Sequence, residues 1–159
     1  MPTWHYSSDI AEKNPEKTAK AMIWDAPISP KEAAEVAREL RGKMLEDAIK
    51  YLERVIKKKE AVPFRWYHGK VAHKRGLAAK AKVPMGRYPV KTAQYYLKLL
   101  NNVKANAEFK GLDAEKLKIV HIASHKGMTI KRWMPRAYGR ATPEFERRTH
   151  LEVIVMEVE

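Results

Sequence analysis

The sequence contains no cysteine among its 159 residues. This absence excludes disulfide bonds and zinc sites built from cysteine ligands. The chain also lacks an apolar run of the ~18–20 residues that a membrane-spanning helix needs. Its first residues, MPTWHYSSDIAEK, contain no hydrophobic stretch of the kind found in a signal peptide. We therefore expect a cytoplasmic protein without a membrane span.

Negative charge is missing from two long segments, Ala61–Thr92 and Lys126–Pro143, neither of which contains aspartate or glutamate. By contrast, Asp9–Glu60 mixes both signs, as a solvated helical surface does. The whole chain has 32 basic and 19 acidic residues, a net charge of +13 and an isoelectric point of about 9.9. The two acid-free segments predict two surfaces that bind a polyanion, which in a cell is usually nucleic acid.

A basic run is more often only a solvated surface or a disordered tail. Here aromatic residues lie among the cations, namely Phe64, Trp66, Tyr67, Tyr88, Trp133 and Tyr138. Aromatic rings beside arginine offer surfaces on which bases and riboses stack, which favours the nucleic-acid interpretation. The candidate RNA-binding residues are Arg65, Lys70, Lys74, Arg75, Arg87, Lys126, Lys131, Arg132, Arg136, Arg140, Arg147 and Arg148.

Two β-prone runs, Leu117–His125 and Leu151–Val158, flank the second acid-free segment. Antiparallel pairing would place the turn near Tyr138–Gly139, where a turn-making glycine is available. Each arm would contain about 20 residues and extend roughly 65 Å at ~3.3 Å per residue, whereas a compact chain of this length has a radius of gyration of about 15 Å. The outer half has only isolated apolar residues. We therefore expect it to project from the body and to be mobile until it binds, because an isolated two-stranded ribbon is marginally stable.

The remaining segments predict three helices and one further strand. Lys17–Trp24 is a short strand, and Ser29-Pro30-Lys31-Glu32 begins a helix with a capping box that ends at Arg41-Gly42. A second helix covers Met44–Lys58, with apolar residues at helical spacing. Pro89 opens a third helix that ends at Ala107 or Glu108. Its predicted core stripe is Val90, Ala93, Leu97, Leu100 and Val103.

The predicted fold class is α+β, with a small antiparallel sheet packed on three helices. The predicted order is β-α-α-(basic loop)-α-β-β, with a long projecting β-hairpin. We expect one domain over residues 1–159, with a globular body at about 17–125 and 143–159 and an extended hairpin tip at about 126–142.

Catalytic and metal-binding patterns are weak. His121 and His125 have the four-residue spacing of metal ligands on a helix, but in a strand that spacing separates side chains by about 13 Å, too far to share one ion. They are expected on the strand surface or in contact with RNA. The sequence contains no P-loop, no G-x-S-x-G and no D-x-D, and Asp9, Asp25, Asp47 and Asp113 lie on different predicted elements. We expect no catalytic residues, no metal site and no cofactor. A nucleic-acid-processing enzyme is the alternative, and it would need acids on the basic surfaces.

Several motifs resemble the L-twenty-two family of large-subunit ribosomal proteins. They are Arg41-Gly42-Lys43, Ala105-Asn106-Ala107, Lys131-Arg132-x-x-Pro135-Arg136-Ala137-x-Gly139-Arg140-Ala141 and Arg148-Thr149-His150-Leu151. The resemblance extends from Lys17 to the end of the chain. The basic block Ala61–Tyr88 is similar to the insertion of the archaeal and eukaryotic branch.

The resemblance implies a structural constituent of the large ribosomal subunit rather than an enzyme. Its implied partners are large-subunit ribosomal RNA, neighbouring large-subunit ribosomal proteins and the nascent peptide in transit. The hairpin tip would line the peptide exit tunnel, and the protein would support assembly of the subunit in the cytoplasm. A free RNA-binding or chaperone protein is a further alternative. The implied tunnel-lining residues are Ile130, Lys131, Arg132, Trp133, Met134, Pro135, Arg136, Ala137, Tyr138, Gly139 and Arg140.

Overall fold

The computed structural model describes residues 5–158. Its helices and strands, in chain order, are α1 (Ile10–Lys13), β1 (Thr18–Ala26), α2 (Pro30–Leu40), α3 (Leu45–Ile56), β2 (Val62–Pro63), α4 (Leu77–Ala81), β3 (Gly86–Arg87), α5 (Val90–Phe109), β4 (Leu117–Pro135) and β5 (Ala141–Glu157). Short 3-10 turns occupy Ala114–Lys116 and Ala137–Gly139. The predicted α+β class and the order of the main elements are confirmed. The short helices α1 and α4 and the two-residue strands β2 and β3 were not predicted.

A three-stranded antiparallel sheet forms the centre of the body, in the order β1-β5-β4. Side chains alternate between the two faces of a strand. Leu151, Val153 and Val155 of β5 therefore point to one face, where they join the hydrophobic core with α2, α3 and α5. Glu152 points to the opposite face. Because β5 pairs on both sides, its residues from 149 to 155 are buried.

The helices begin and end close to the predicted positions. Ser29 is the N-cap residue of α2 and Pro30 is its first helical residue, but the Ser29 side chain makes no capping hydrogen bond. The predicted capping box is therefore wrong. The Glu32 carboxylate instead accepts a hydrogen bond of 3.3 Å from the Thr92 hydroxyl of α5. No helix in residues 5–158 is long and apolar enough to cross a membrane.

The core stripe of α5 differs from the prediction. Val90 and Leu97 are only partly buried, whereas Tyr96, Leu99 and Ala107 are buried. Tyr96 is fully buried because its hydroxyl donates a 2.9 Å hydrogen bond to the carbonyl of Ala33. A tyrosine can be buried where its hydroxyl finds a partner, and helical spacing alone does not reveal that partner.

The long hairpin is confirmed, with arms of 19 residues in β4 and 17 in β5. Its turn lies where predicted, with positive φ angles of 58° at Tyr138 and 67° at Gly139. The inner half of the hairpin belongs to the sheet of the body. Residues 131–145 are all exposed, so the outer half projects.

A register shift between Lys126 and Thr129 separates the two halves of the hairpin. Gly127 lies in this shift, and a Cβ atom there would be 3.0 Å from Asp25 Oδ1, 3.0 Å from His150 Nε2 and 3.1 Å from the Arg148 carbonyl. The close approach explains the glycine, because any side chain would have to displace these neighbours.

Candidate nucleic-acid interface

The basic loop between α3 and α5 is attached to the body through a buried carboxylate. Glu35 of α2 is 2% exposed and accepts hydrogen bonds from three consecutive backbone amides, those of Arg65 (3.1 Å), Trp66 (2.7 Å) and Tyr67 (2.8 Å). A buried charge is tolerated when hydrogen-bond donors replace its hydration. This contact fixes the backbone of a segment that has little regular secondary structure.

The loop cations differ in how far their charge is available. Lys70, Arg75 and Arg87 are exposed, whereas Lys74 is half-buried and lies 5.3 Å from the centre of the Tyr88 ring. The Arg65 guanidinium lies 3.5 Å from Glu39 and donates a 3.4 Å hydrogen bond to the Ala81 carbonyl. Part of the charge of Arg65 is therefore neutralised within the protein. The acid-free sequence of the loop could not show this, because Glu39 belongs to α2.

The aromatic residues of the loop have two different roles. Phe64 is 2% exposed and belongs to the interior, so the expectation that its ring offers a stacking surface is wrong. Trp66 is 70% exposed and Tyr67 is 44% exposed. The Arg38 guanidinium stacks on the Trp66 indole at 3.3 Å from the ring centre, which orients an otherwise exposed ring.

The outer hairpin displays its cations on β4 and at the turn. Lys131, Arg132, Arg136 and Arg140 are all exposed. The strand register places Glu144 directly opposite Arg132, so one acid of β5 lies beside the acid-free part of β4. From Met134 to Thr142 the tip contains no carboxylate. Its backbone is closed by a 2.7 Å hydrogen bond from the Arg136 amide to the Arg140 carbonyl.

Side-chain contacts within the outer hairpin involve few residues. Trp133 packs edge-on against Phe145 with 5.7 Å between ring centres, and both remain exposed. The Arg136 Nε donates a 3.2 Å hydrogen bond to the Thr142 hydroxyl. Tyr138, at the turn, is 96% exposed. These contacts stabilise the ribbon itself and leave its surface open to a partner.

At the base of the hairpin, Lys126 and Arg147 are exposed, whereas Arg148 is half-buried. The Arg148 guanidinium lies 2.9 Å from Glu146 and donates a 3.4 Å hydrogen bond to the carbonyl of Asp25. Arg148 therefore also joins β5 to the end of β1. Like Arg65, it is a candidate RNA-binding residue whose charge is partly used inside the fold.

His121 and His125 lie on strand β4, as expected, but both are half-buried beside a carboxylate that their spacing did not predict. Their Nε2 atoms lie 2.8 Å and 3.2 Å from the same oxygen, Oε1 of the buried Glu152. Glu152 is paired with Ala123, midway between the two histidines on β4. The spacing of the two histidines along β4 does not reveal the carboxylate that the neighbouring strand places between them.

Ser7 completes this cluster from the N-terminal segment. Its hydroxyl and its backbone amide both donate to the Glu152 carboxylate, and the hydroxyl lies 3.0 Å from His121 Nε2. Burial raises the pKa of Glu152, but the contacts with Ser7, His121 and His125 outweigh burial and lower the pKa to about 2. The segment around Ser7 is thereby attached to the sheet face opposite the helices. Within residues 5–158, no group of histidine, aspartate or glutamate residues is arranged to hold a metal ion.

Comparisons of the sequence with a family model and with individual proteins point to the same family. The family model described as ribosomal protein L22p/L17e matches residues 21–156. The chain is 81% identical to the large ribosomal subunit protein uL22 of Ignicoccus hospitalis and 59% identical to that of Hyperthermus butylicus, over the full length of both chains in each case. It is 53% identical to the uL22 protein of Methanocaldococcus jannaschii, over 91% of this chain and 90% of the relative. The chain belongs to the ribosomal protein L22p/L17e family, and it is a structural protein rather than an enzyme.

Proposed function

We propose that this chain, a structural constituent of the large ribosomal subunit in the cytoplasm, binds large-subunit ribosomal RNA through two surfaces. The first is the basic loop, residues 61–92, and the second is the outer hairpin, residues 131–145, together with Lys126, Arg147 and Arg148 at its base. We propose further that the end of the hairpin lines the tunnel through which the nascent peptide leaves. The family to which the chain belongs supports the coarse assignment, and the geometry of the two surfaces supports the finer one.

The exposed outer hairpin is the observation that carries the proposal. Its residues 131–145 are all exposed, and cations outnumber acids among them. A two-stranded ribbon in water is marginal by itself. Repulsion among four cations further disfavours an extended arm, unless a partner of opposite charge surrounds it. Ribosomal RNA supplies that charge from all sides, because every nucleotide carries a phosphate.

The contacts that we expect between the tip and the RNA fix the position of the arm. They do not recognise a particular base sequence. Arginine pairs with phosphates through two parallel hydrogen bonds and stacks on flat bases. Such charge-assisted contacts are worth about 1.5–3 kcal/mol each where water is scarce. Arg136 and Arg140, on either side of the turn, are suited to this role because both side chains are exposed.

Reversal of charge at the tip tests the proposal. We expect Arg136→Glu/Arg140→Glu to lower incorporation of tagged protein into large subunits, measured by sedimentation at moderate salt, or to alter chemical probing of the tunnel RNA. Glu12→Lys/Glu16→Lys reverses two exposed charges of the N-terminal segment in the opposite direction and serves as the control for charge reversal outside the hairpin. Normal incorporation of the tip variant, with unchanged probing of tunnel RNA, would show that these arginines do not touch RNA.

A further inference from the structure

An open cavity of about 420 Å³ lies between α2 and the basic loop. Its aromatic lining residues are Phe64, Trp66 and Tyr67, and its basic ones are Lys31 and Arg87. The volume falls within the range of about 300–1,000 Å³ in which small-molecule sites are found. No feature of the fold itself explains why an indole and a phenol should be exposed here, beside two cations.

The backbone that carries the two exposed rings is fixed, and the Trp66 ring is also oriented by a neighbouring cation. The Glu35 carboxylate holds the backbone amides of Trp66 and Tyr67 at 2.7 Å and 2.8 Å. The Arg38 guanidinium lies on the Trp66 indole, which nevertheless remains 70% exposed. A flat ligand that stacks on this indole would therefore have to order few side chains of the protein, and the entropic cost of binding would be small.

The charges around the cavity favour an anionic ligand. Lys31 Nζ lies 5.7 Å from the centre of the Tyr67 ring, and the Arg87 guanidinium lies 5.9 Å from the centre of the Phe64 ring. Glu32 also lines the cavity and its carboxylate accepts the Thr92 hydroxyl, but the two cations outnumber this one acid among the lining residues. An apolar peptide side chain could fill the space between the rings, but it would supply no negative charge to Lys31 and Arg87, which lie beside aromatic rings here.

We propose that this cavity holds one unpaired nucleotide of the large-subunit RNA. Its base stacks on Trp66, and its phosphate lies near Lys31 and Arg87. A base within a duplex cannot reach a protein ring, because its faces are covered by the neighbouring base pairs, whereas an unpaired base can be turned outward and stacked. This inference rests on the proposed function and names the RNA element that the basic loop recognises.

Binding measurements with the full-length protein test the inference. The two probes are protein-free large-subunit RNA and a duplex RNA without unpaired nucleotides. Stacking of one base contributes about ten- to a hundredfold in affinity. We expect Trp66→Ala to weaken binding of the large-subunit RNA by about that factor and to leave the affinity for the duplex unchanged.

Two further variants separate stacking from burial of apolar surface. Trp66→Leu keeps a bulky apolar side chain without a flat ring, and it should bind like Trp66→Ala. Trp66→Phe keeps a flat ring and should retain most of the affinity. Because stacking carries no charge, none of these variants should change the slope of affinity against salt concentration, whereas Lys31→Ala should reduce it by about one. Thermal melts of all variants establish that the fold is retained.

The outcomes distinguish this inference from the proposed function. Tight binding of large-subunit RNA by the parent protein and equally by Trp66→Ala and Trp66→Leu would overturn the inference alone. An equal loss of affinity for the duplex would also overturn it, because the ring would then not act on an unpaired base. Normal RNA binding by Trp66→Ala combined with its loss from assembled subunits would assign the cavity to a protein. No RNA binding by the parent protein would overturn the inference and the RNA-binding proposal together.

Discussion

Replacement of Glu152 by glutamine tests whether the cluster on the sheet face opposite the helices stabilises the fold by charge. Glu152→Gln keeps the shape of the side chain and removes the ionised carboxylate, which accepts hydrogen bonds from Ser7 and contacts His121 and His125. Its glutamine side chain resembles the protonated form of the native residue. The variant therefore reports what ionisation at this buried position contributes.

The magnitude follows from the pKa of Glu152, which is lowered from the ordinary value of 4.5 to about 2. Since one pKa unit corresponds to about 1.36 kcal/mol, the surrounding donors stabilise the ionised form over the protonated form by about 3 kcal/mol. We expect Glu152→Gln to lower the free energy of unfolding by that amount at pH 7. This is a large part of the ~5–15 kcal/mol by which native proteins are stable.

The pH dependence has a defined sign. The folded protein holds Glu152 ionised at pH values where the unfolded chain is already protonated, so the unfolded state binds more protons. The stabilisation is therefore fully present above about pH 4.5, the ordinary pKa of the carboxyl group, and is lost as the pH falls towards 2. Urea unfolding of both proteins at pH 7, 4 and 2.5 should show a difference in stability that shrinks in that order.

Glu53→Gln, which removes an exposed carboxylate from α3, is the matched control and should change stability by less than about 0.5 kcal/mol at each pH. Hydrogen exchange should also show earlier opening of the segment around Ser7 in Glu152→Gln. Equal stability of the parent protein and Glu152→Gln at pH 7, or a difference that does not depend on pH, would refute the electrostatic role of the cluster.

Two other predictions concern the hairpin. Gly127→Ala should destabilise the protein by about 1–3 kcal/mol in denaturant unfolding, because the added methyl group would lie within 3.1 Å of a carboxylate, an imidazole and a backbone carbonyl. The control is Gly69→Ala, where a Cβ has open space and the substitution should change stability little. Unchanged stability of Gly127→Ala would show that the neighbours of Gly127 move aside easily. Deletion of residues 130–141 should leave a cooperative thermal melt close to that of the parent protein. Leu52→Asp places an unpaired charge at a fully buried site and should lower the free energy of unfolding by about 4 kcal/mol or more. Similar melts of the two variants would mean that the outer hairpin supports the body.

The main elements of the fold could be predicted from local sequence because each depends on neighbouring residues. Ser29-Pro30 begins α2 and Gly139 marks the hairpin turn, since both act through backbone angles that the residue itself prefers. The projection of the hairpin also followed from sequence alone. Its outer arms contain no repeating apolar face, and the structure accordingly leaves residues 131–145 exposed.

The positions of charged side chains relative to distant partners could not be predicted in the same way. Arg65 belongs to a basic segment, yet it lies beside Glu39 of α2, and Arg148 of β5 reaches the carbonyl of Asp25 in β1. The two histidines meet because β5 places Glu152 between them. Glu152 lies 31 positions from His121 and 145 positions from Ser7, so this cluster depends on strand register and on folding rather than on local spacing.

The sequence by itself determined the α+β class, the long basic hairpin and the family resemblance, because periodicity, turn residues and contiguous motifs are local properties of the chain. Only the tertiary structure decided which cations remain exposed and which aromatic rings face outward. It also decided how buried carboxylates hold the basic loop and the N-terminal segment to the body. The physical reason is that a buried charge is tolerated only where donors converge on it, and here they come from parts of the chain that only folding brings together.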